Sequence, residues 1–284
     1  MLTDEQIQSF RENGYLNYGP VLTPEELQGL REALARCKAG DSPQAAEANR
    51  NASWAQEQGF VVTQIVNIWQ AENAFYHHLF HDRIVKMAAQ LIGDDTIRVW
   101  HDQMQEKPAL HGGPTIWHQD HPYWPIIQPA DLVSAWVALE DATPENGCMS
   151  FVRGSHKWGP INGGTIGSIT DGEKNLWGPD FKPEWLPEGT QVEVVEAPVV
   201  AGGVAFHHCL TWHGAPVNKS PRNRPAIAVH YMPGWTRYEK EPGKDHLVEH
   251  HITVEEGEIL KGDHFPTVME NGVVLPFPVH LPRA

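Results

Sequence analysis

The sequence has few cysteines, no long hydrophobic run and a deficit of positive charge. Its three cysteines, Cys37, Cys148 and Cys209, are far apart and form no CxxC pair. Neither a disulfide framework nor a zinc ribbon is therefore indicated. No stretch approaches the ~20 apolar residues of a membrane span, and the opening MLTDEQIQSFREN is charged where a secretory signal needs an apolar segment. We expect a cytoplasmic protein in a reducing compartment, with no membrane partner.

The balance of charge narrows the class of partner. Lys and Arg number 21 against 36 Asp and Glu, which gives a net charge of −15 at pH 7. Such a chain repels nucleic acids and anionic membranes, so a polyanionic partner would need a local basic pocket. With 40% hydrophobic and 20% charged residues over 284 positions, the chain is long and balanced enough to bury a full core. We expect a folded globular protein that does not bind nucleic acid.

Residues 1–95 are predicted to be mainly helical. One helix begins at Thr3, and a second begins after Thr23, where a proline and an acid complete a capping box. A third helix is predicted over His81–Leu91 from apolar residues at helical spacing. Between the second and third helices, Phe60–Trp69 is rich in the β-branched and aromatic residues that favour a strand.

From residue 96 to residue 232 the pattern changes to short strands separated by proline- and glycine-rich turns. The predicted strands are Ile97–Gln105, Ile116–Asp120, Leu132–Leu139, Met149–Val152, Gln191–Glu196, Val204–His208 and Ala226–Met232. Many short strands favour an antiparallel jelly roll, so the predicted fold is mainly β with a helical N-terminal layer. We expect a single domain over 1–284, a monomer or homodimer, in which 233–284 forms a lid or a dimer contact.

A histidine and an acid two residues apart stand in one predicted strand. Because successive side chains of a strand alternate, His118 and Asp120 share a face and project into the same space. A catalytic metal needs a third ligand from elsewhere, and we choose His213. Two histidines and one carboxylate leave three adjacent positions open on octahedral Fe(II), enough for a chelating cosubstrate and O₂. Spacing alone leaves other candidates open for the third ligand: His207, His208 and His230.

Arg224 follows His213 by eleven residues, after a turn-rich stretch and at the start of an apolar strand. A hairpin between the two residues would return the guanidinium to the neighbourhood of the metal. There it can grip a carboxylate bidentately, which suits a keto-acid cosubstrate with a second carboxylate.

Several segments together resemble the phytanoyl-CoA dioxygenase family of Fe(II)- and 2-oxoglutarate-dependent oxygenases. They follow the family's order up to about Met232, and they are LTDEQIQSFRENGYL, WHDQ through the KP at 107–108, WHQDHPYWP, AWVAL, ENGCMSFVRGSHKWG and WHGAPVNKSPRNRPA. The resemblance implies a double-stranded β-helix, the cupin-like jelly roll. It also implies that His118, Asp120 and His213 are the ligands of the iron.

The resemblance extends to the cosubstrate. It implies that Arg224 pairs with the distal carboxylate of 2-oxoglutarate and that Gln103 and Trp136 line the same pocket. A looser match brings Gln64 or Asn67 near the cosubstrate.

The implied activity is hydroxylation of a small organic metabolite by O₂, with decarboxylation of 2-oxoglutarate to succinate and CO₂. Desaturation, epoxidation or ring formation at the same metal site is the alternative outcome. Ala215 departs from the family pattern, because many relatives carry a hydroxyl two positions after the distal histidine to hold the cosubstrate carboxylate. Another donor is then expected, or weaker binding of 2-oxoglutarate. A further alternative is a catalytically silent, cupin-like binding protein.

Aromatic residues flank the predicted ligands and fit two roles equally well, lining a substrate pocket or filling the end of the barrel. They are Trp117, Tyr123, Trp124 and Trp212.

Overall fold

Helices α1 and α2 begin at the two threonines that the sequence predicts as caps, and each threonine forms a capping box. Before α1 (Asp4–Asn13), the Thr3 hydroxyl accepts from a first-turn backbone N–H, and a first-turn side chain accepts from the Thr3 N–H in return. The same reciprocal pair forms at Thr23, before α2 (Pro24–Ala39). Each box satisfies two backbone donors that a bare helix end leaves unpaired. Two further helices are α3 (Asn73–Leu79) and α4 (Asp82–Ile92).

Two antiparallel sheets carry the rest of the fold. The computed structural model describes residues 1–41, 62–160 and 189–277, together with 43, 45–46, 165–166 and 186. In chain order its strands are β1 Tyr15–Tyr18, β2 Thr63–Val66, β3 Ile97–Lys107, β4 Thr115–His118, β5 Ile127–Gln128, β6 Val133–Ala138, β7 Met149–Val152, β8 Thr165–Ile166, β9 Val194–Ala197, β10 Val204–His208, β11 His213–Ala215, β12 Arg224–Pro233, β13 Arg237–Tyr238, β14 Thr267–Glu270 and β15 Val273–Val274.

The strands divide between a main sheet and a minor sheet. The main sheet has the order β1-β10-β6-β12-β3-β14-β15, with β2 paired to β3, and the minor sheet has the order β8-β4-β11-β7-β9. Strands β5 and β13 form a separate two-stranded ribbon. Side chains from both larger sheets line one cavity, so the two sheets face each other across it. This arrangement matches the predicted double-stranded β-helix.

The main sheet is buried on both faces, and β12 shows how its residues divide between them. Ile227, Val229 and Tyr231 belong to the largest apolar cluster, which also contains side chains of all four helices. The alternate residues Ala228 and His230 line the cavity instead. Because side chains alternate along a strand, one strand supplies both the apolar core and the cavity wall.

Three local predictions about backbone are wrong. The strand predicted as Ile116–Asp120 ends at His118, and Asp120 precedes a 3₁₀ helix, His121–Tyr123. The strand predicted over Phe60–Trp69 covers only Thr63–Val66 and is followed by a 3₁₀ helix, while residues 60–61 lie outside the described residues. The predicted hairpin between His213 and Arg224 does not form. Strands β11 and β12 belong to different sheets, so the segment between them crosses from one sheet to the other.

The C-terminal segment from residue 234 to residue 277 packs against the jelly roll. Strand β14 pairs with the N-terminal half of β3, and β13 pairs with β5. Phe265 stacks on Trp100 with ring centroids 5.4 Å apart, in an apolar cluster that closes one end of the barrel. Across the described parts of the chain, no helix has both the length and the apolar character needed to cross a bilayer.

Candidate active site

The two predicted histidine ligands stand on adjacent strands of the minor sheet. His118 is the last residue of β4 and His213 is the first of β11, and the two are direct partners in the ladder. Their ring centroids are 4.1 Å apart. Asp120 lies in the turn after β4, where its backbone N–H donates to the Cys209 carbonyl at 2.9 Å. The acid therefore reaches the histidines by a fixed turn rather than by strand alternation.

The three side chains converge through defined atoms. Nε2 of His118 and Nε2 of His213 each lie 3.6 Å from Oδ1 of Asp120, and the three candidate donor atoms all lie within 4.8 Å of one another. Nδ1 of His118 is 2.8 Å from the Ile116 carbonyl, and Nδ1 of His213 is 2.9 Å from the Thr211 carbonyl. A carbonyl accepts only from a protonated nitrogen, so each Nδ1 carries the hydrogen and each Nε2 presents its lone pair. This is a donor set that a divalent transition metal can use.

The charges at the cluster also suit metal binding, since ligands must be a carboxylate and neutral imidazoles. Burial alone would raise the pKa of Asp120, but the facing rings of His213, His118 and His207 more than offset it and hold that pKa well below its usual range. Burial, with His118 close by, lowers the pKa of His213 well below its usual range. Asp120 is therefore ionised at neutral pH, as a carboxylate that binds a metal must be.

The other histidines that spacing left open as ligands have different positions. Nε2 of His207 lies 3.1 Å from Oδ2 of Asp120, on the side of the carboxylate away from Oδ1. Nδ1 of His230 lies 2.7 Å from the Ser134 hydroxyl. Nδ1 of His208 accepts from the backbone N–H of Leu210, outside the cavity. Of these histidines, only His213 directs a free Nε2 at Oδ1, which supports the choice of His213.

A cavity opens beside the cluster. Its wall contains the three predicted ligands and all three residues that the resemblance assigns to the cosubstrate, and its lining residues are Gln103, Gln105, Thr115, His118, Asp120, Trp136, Met149, His207, His213, Gly214, Ala215, Arg224, Ala228 and His230. Gln64 donates a hydrogen bond to Gln103 from outside the lining. Asn67 faces Trp69 and His264 and lies away from the cavity.

Arg224 is a buried cation in the wall of this cavity. Its side chain is 2% exposed, and its guanidinium lies 4.9 Å from the centre of the Trp136 ring. One NH donates to the Gly147 carbonyl at 2.8 Å, whereas Nε has no partner within the described parts of the chain. Burial lowers its pKa to about 10, so it remains a cation at neutral pH. Among the described residues no carboxylate pairs with it, and a buried charge of this kind calls for an anionic ligand.

Sequence reasoning missed several residues of the wall. Gln105 follows Gln103 by two positions on β3, so strand alternation alone indicates that it shares the cavity face; its side chain accepts from the Trp136 indole at 3.3 Å. Thr115 is the ladder partner of Ala215 on the neighbouring strand and lines the same cavity. That pairing depends on strand register, which no local motif reveals.

The flanking tryptophans are buried outside the cavity wall. Trp117 and Trp212 belong to one buried apolar cluster and Trp124 to another, and none of them lines the cavity. Tyr123 is 47% exposed, with its ring 6.0 Å from the His118 ring. Of the aromatic set, Tyr123 alone stands at an open position beside a predicted ligand.

Comparisons with known proteins identify the family of this chain. A family model described as Phytanoyl-CoA dioxygenase (PhyH) matches residues 10–226. Among curated relatives, the peroxisomal phytanoyl-CoA dioxygenase of Rattus norvegicus is 27% identical over 240 residues, covering 81% of this chain and 68% of the relative.

Solved structures resemble the whole fold. The non-heme alpha-ketoglutarate-dependent carbocyclase SnoK from nogalamycin biosynthesis is 26% identical with a TM-score of 0.70, covering 94% of this chain and 97% of that one. The non-heme alpha-ketoglutarate-dependent epimerase SnoN from the same biosynthesis is 25% identical with a TM-score of 0.71, covering 93% and 95%. Likeness over more than nine-tenths of both chains confirms the predicted fold.

Proposed function

The chain belongs to the phytanoyl-CoA dioxygenase family, and from that membership we propose that it is an Fe(II)- and 2-oxoglutarate-dependent dioxygenase that hydroxylates a small organic molecule. His118, Asp120 and His213 would hold the iron. Their fit rests on two free Nε2 atoms and one carboxylate oxygen that face one another, the donor set of a facial triad with open positions. When bound, iron supplies the activation of O₂ and the oxidative decarboxylation of 2-oxoglutarate to succinate and CO₂.

One observation carries the proposal: the donor cluster shares its cavity with a buried guanidinium that has no acidic partner among the described residues. A dicarboxylate with a keto group at one end matches both features. Arg224 would hold the distal carboxylate, while the Trp136 face stabilises the guanidinium from its other side. Gln103 offers a neutral amide on the same wall. The chain thereby orients the cosubstrate before any reaction begins.

Thr115 is the proposed donor in place of the hydroxyl that Ala215 lacks. The two residues are ladder partners on β4 and β11, and both line the cavity with Arg224. A threonine hydroxyl donates one hydrogen bond and needs no change of charge to do so. The proposed donor therefore belongs to β4, the neighbour of the strand that carries His213.

Hydroxylation is the outcome we propose, with ring formation as the second candidate. The second candidate is favoured by the likeness to the alpha-ketoglutarate-dependent carbocyclase SnoK at 26% identity. Where a substrate lies relative to the metal decides among these outcomes. Product mass separates them, because hydroxylation adds one oxygen atom whereas ring closure removes two hydrogens.

The decisive experiment is anaerobic titration of the protein with Fe(II) and 2-oxoglutarate. The wild type is expected to give a metal-to-cosubstrate charge-transfer band and, with air, ascorbate and a panel of small metabolites, to release succinate. His118→Ala should lose stoichiometric iron and the band, whereas the exposed His111→Ala control should keep both. Retention of iron by His118→Ala would refute the ligand assignment. Absence of both 2-oxoglutarate binding and succinate release in the wild type would favour a silent binding protein.

Arg224 has its own test in the same assay. Arg224→Ala should retain iron but require at least about 10-fold more 2-oxoglutarate, because a charge-assisted hydrogen bond contributes about 1.5–3 kcal/mol. Arg224→Lys should restore part of the affinity, since it keeps the charge and loses the bidentate fork. An unchanged requirement in Arg224→Ala would remove the residue from this role.

A further inference from the structure

The two oxygens of the Asp120 carboxylate have different surroundings. Oδ1 faces Nε2 of His118 and Nε2 of His213, each at 3.6 Å. Oδ2 faces away from them and is engaged by two donors, the Ser134 hydroxyl at 2.9 Å and Nε2 of His207 at 3.1 Å. One oxygen is therefore presented to the metal position and the other is held by the protein.

The donors to Oδ2 form a row across the main sheet. Ser134 on β6 is the ladder partner of His207 on β10 and also of His230 on β12. All three side chains are buried, with exposures of 0%, 2% and 1% in that order. The minor sheet carries the two candidate histidine ligands, while Ser134 and His207 of the main sheet hydrogen-bond to Oδ2 of Asp120. The orientation of Asp120 therefore depends on both sheets.

The number of hydrogens on each group determines which atom donates in each hydrogen bond of this row. The single hydroxyl hydrogen of Ser134 goes to Oδ2, so the 2.7 Å contact with His230 requires that Nδ1 of His230 donates to the Ser134 oxygen. Nε2 of His207 must likewise carry its hydrogen to donate to Oδ2. Nδ1 of His207 and Nε2 of His230 have no partner among the described residues, which fits the assignment of the donated hydrogen to the other nitrogen of each ring. Every donor in the row thus points toward the carboxylate.

We propose that Ser134 and His207 are positioning residues that fix Asp120 so that only Oδ1 reaches the iron, with His230 orienting the Ser134 hydroxyl. The inference rests on the proposed function. A carboxylate free to turn could offer both oxygens to the metal and occupy a position that the cosubstrate or O₂ needs. Two hydrogen bonds to Oδ2 oppose that rotation. Partners of this kind also hold a ligand ready before the metal arrives, so their loss weakens metal affinity.

The test measures metal binding rather than turnover. Fe(II) and Co(II) affinities are determined anaerobically by competition with a chromophoric chelator for Ser134→Ala and His207→Leu, which remove one donor each. Each variant is expected to bind both metals about 10- to 100-fold more weakly. The visible Co(II) spectrum should also change, because the carboxylate of these variants is free to coordinate through its second oxygen.

Matched variants separate positioning from general damage. Ser134→Thr keeps the hydroxyl and His207→Gln keeps an N–H donor near the position of Nε2, so both should bind metal close to the wild-type strength. Ser220→Ala removes another buried, doubly hydrogen-bonded serine that lies outside the cavity, and it should leave metal affinity unchanged. The comparison of His207→Leu with His207→Gln holds even if both lower the melting temperature.

Two results would overturn the inference: wild-type metal affinity in Ser134→Ala and His207→Leu, or equal weakening in His207→Gln and His207→Leu. Failure of the proposed function is a separate result, because His118→Ala and Asp120→Ala would then also keep the wild-type affinity.

Discussion

Asp102 and Arg224 are buried ionisable residues on opposite faces of the main sheet. Arg224 faces the cavity, where an anionic ligand can neutralise it. Asp102 faces the helices. One of its carboxylate oxygens accepts a weak bond from the Trp69 N–H at 3.4 Å, and the other has no partner in the part of the chain that the structure describes. Burial raises the pKa of Asp102 to about 8, so this acid is largely protonated at neutral pH. A buried ionisable side chain can therefore bind a ligand on the cavity face of the sheet, whereas on the helix face it destabilises the fold.

Asp102→Asn should stabilise the protein at neutral pH. Above its ordinary pKa of 3.8 the unfolded carboxyl loses its proton while the folded one retains it up to about pH 8, so this group lowers stability progressively across that window. The amide has nearly the same shape and does not titrate. We expect a gain of about 1–3 kcal/mol at neutral pH that disappears at strongly acidic pH. Urea unfolding at several pH values measures it, and an equal effect at every pH would contradict the assignment.

Thr115→Val tests the cross-strand hydroxyl beside Ala215. Loss of one neutral hydrogen bond costs about 0.5–1.5 kcal/mol, so the 2-oxoglutarate concentration for half-saturation should rise about 3- to 10-fold with iron binding unchanged. Thr267→Val on β14, which lies away from the cavity, is the matched control. If Thr115→Val needs no more 2-oxoglutarate than the control does, the donor that replaces the family hydroxyl lies elsewhere.

The strands of the main sheet show why a short sequence motif identifies few of the residues that line the cavity. Strand β12 supplies core residues from one face and Arg224 and His230 from the other, because helices cover the first face and the minor sheet covers the second. Such a strand is apolar almost throughout, as RPAIAVHYMP shows. The polar residues of such a strand therefore indicate where a site lies, since a buried charge must have a partner or a ligand.

The C-terminal segment is proposed to belong to the single folded domain rather than to act as a detachable lid. Phe265→Ala removes a ring that is 1% exposed and stacked on Trp100, and it should cost about 3–5 kcal/mol of unfolding free energy. Val273→Ala on β15, where the side chain is 63% exposed, should change stability very little. Denaturant unfolding of both variants checks this. A negligible effect of Phe265→Ala would mean that the segment folds separately.

Over the whole molecule, buried histidines set the response to acid. Burial lowers the pKa of His78 to about 3, and burial together with neighbouring histidines lowers that of His264 to about 3. In the unfolded chain both rings titrate near their ordinary value of about 6.5. Their contribution to stability is complete above that value and is lost as the pH falls toward the folded pKa. Asp102 acts with the opposite sign over the same window, so acid sensitivity should be steeper in Asp102→Asn.

Acid should therefore lower the unfolding free energy by about 2 kcal/mol or more between about pH 7 and about pH 4.5. His78→Asn should flatten this dependence, because the buried ring that resists protonation is gone. The adjacent His77 is exposed, so His77→Asn should leave the slope as it is in the wild type. Thermal or urea unfolding across the pH range provides the measurement, and equal slopes in the two variants would refute the attribution.

The sequence predicted much of this protein from local rules. The cap at Thr3 and the capping box at Thr23 marked two helix starts, and the strand-and-turn pattern indicated the jelly roll. The His-x-Asp spacing also indicated two side chains that lie close together in the fold, although Asp120 reaches its place by a turn outside the strand. Such rules succeed because caps, turns and alternation depend on neighbours within a few residues along the chain.

The sequence predicted His213 as the third ligand, although spacing alone left three other histidines open. The position of its Nε2 beside Oδ1 of Asp120 came from the folded arrangement. So did the unequal surroundings of the two Asp120 oxygens and the pairing of Thr115 with Ala215. Local spacing states which face of a strand a side chain occupies, but not which strand lies beside it or which sheet lies opposite. Those relations arise when the two sheets close on a shared interior, so they depend on long-range packing that no short segment contains.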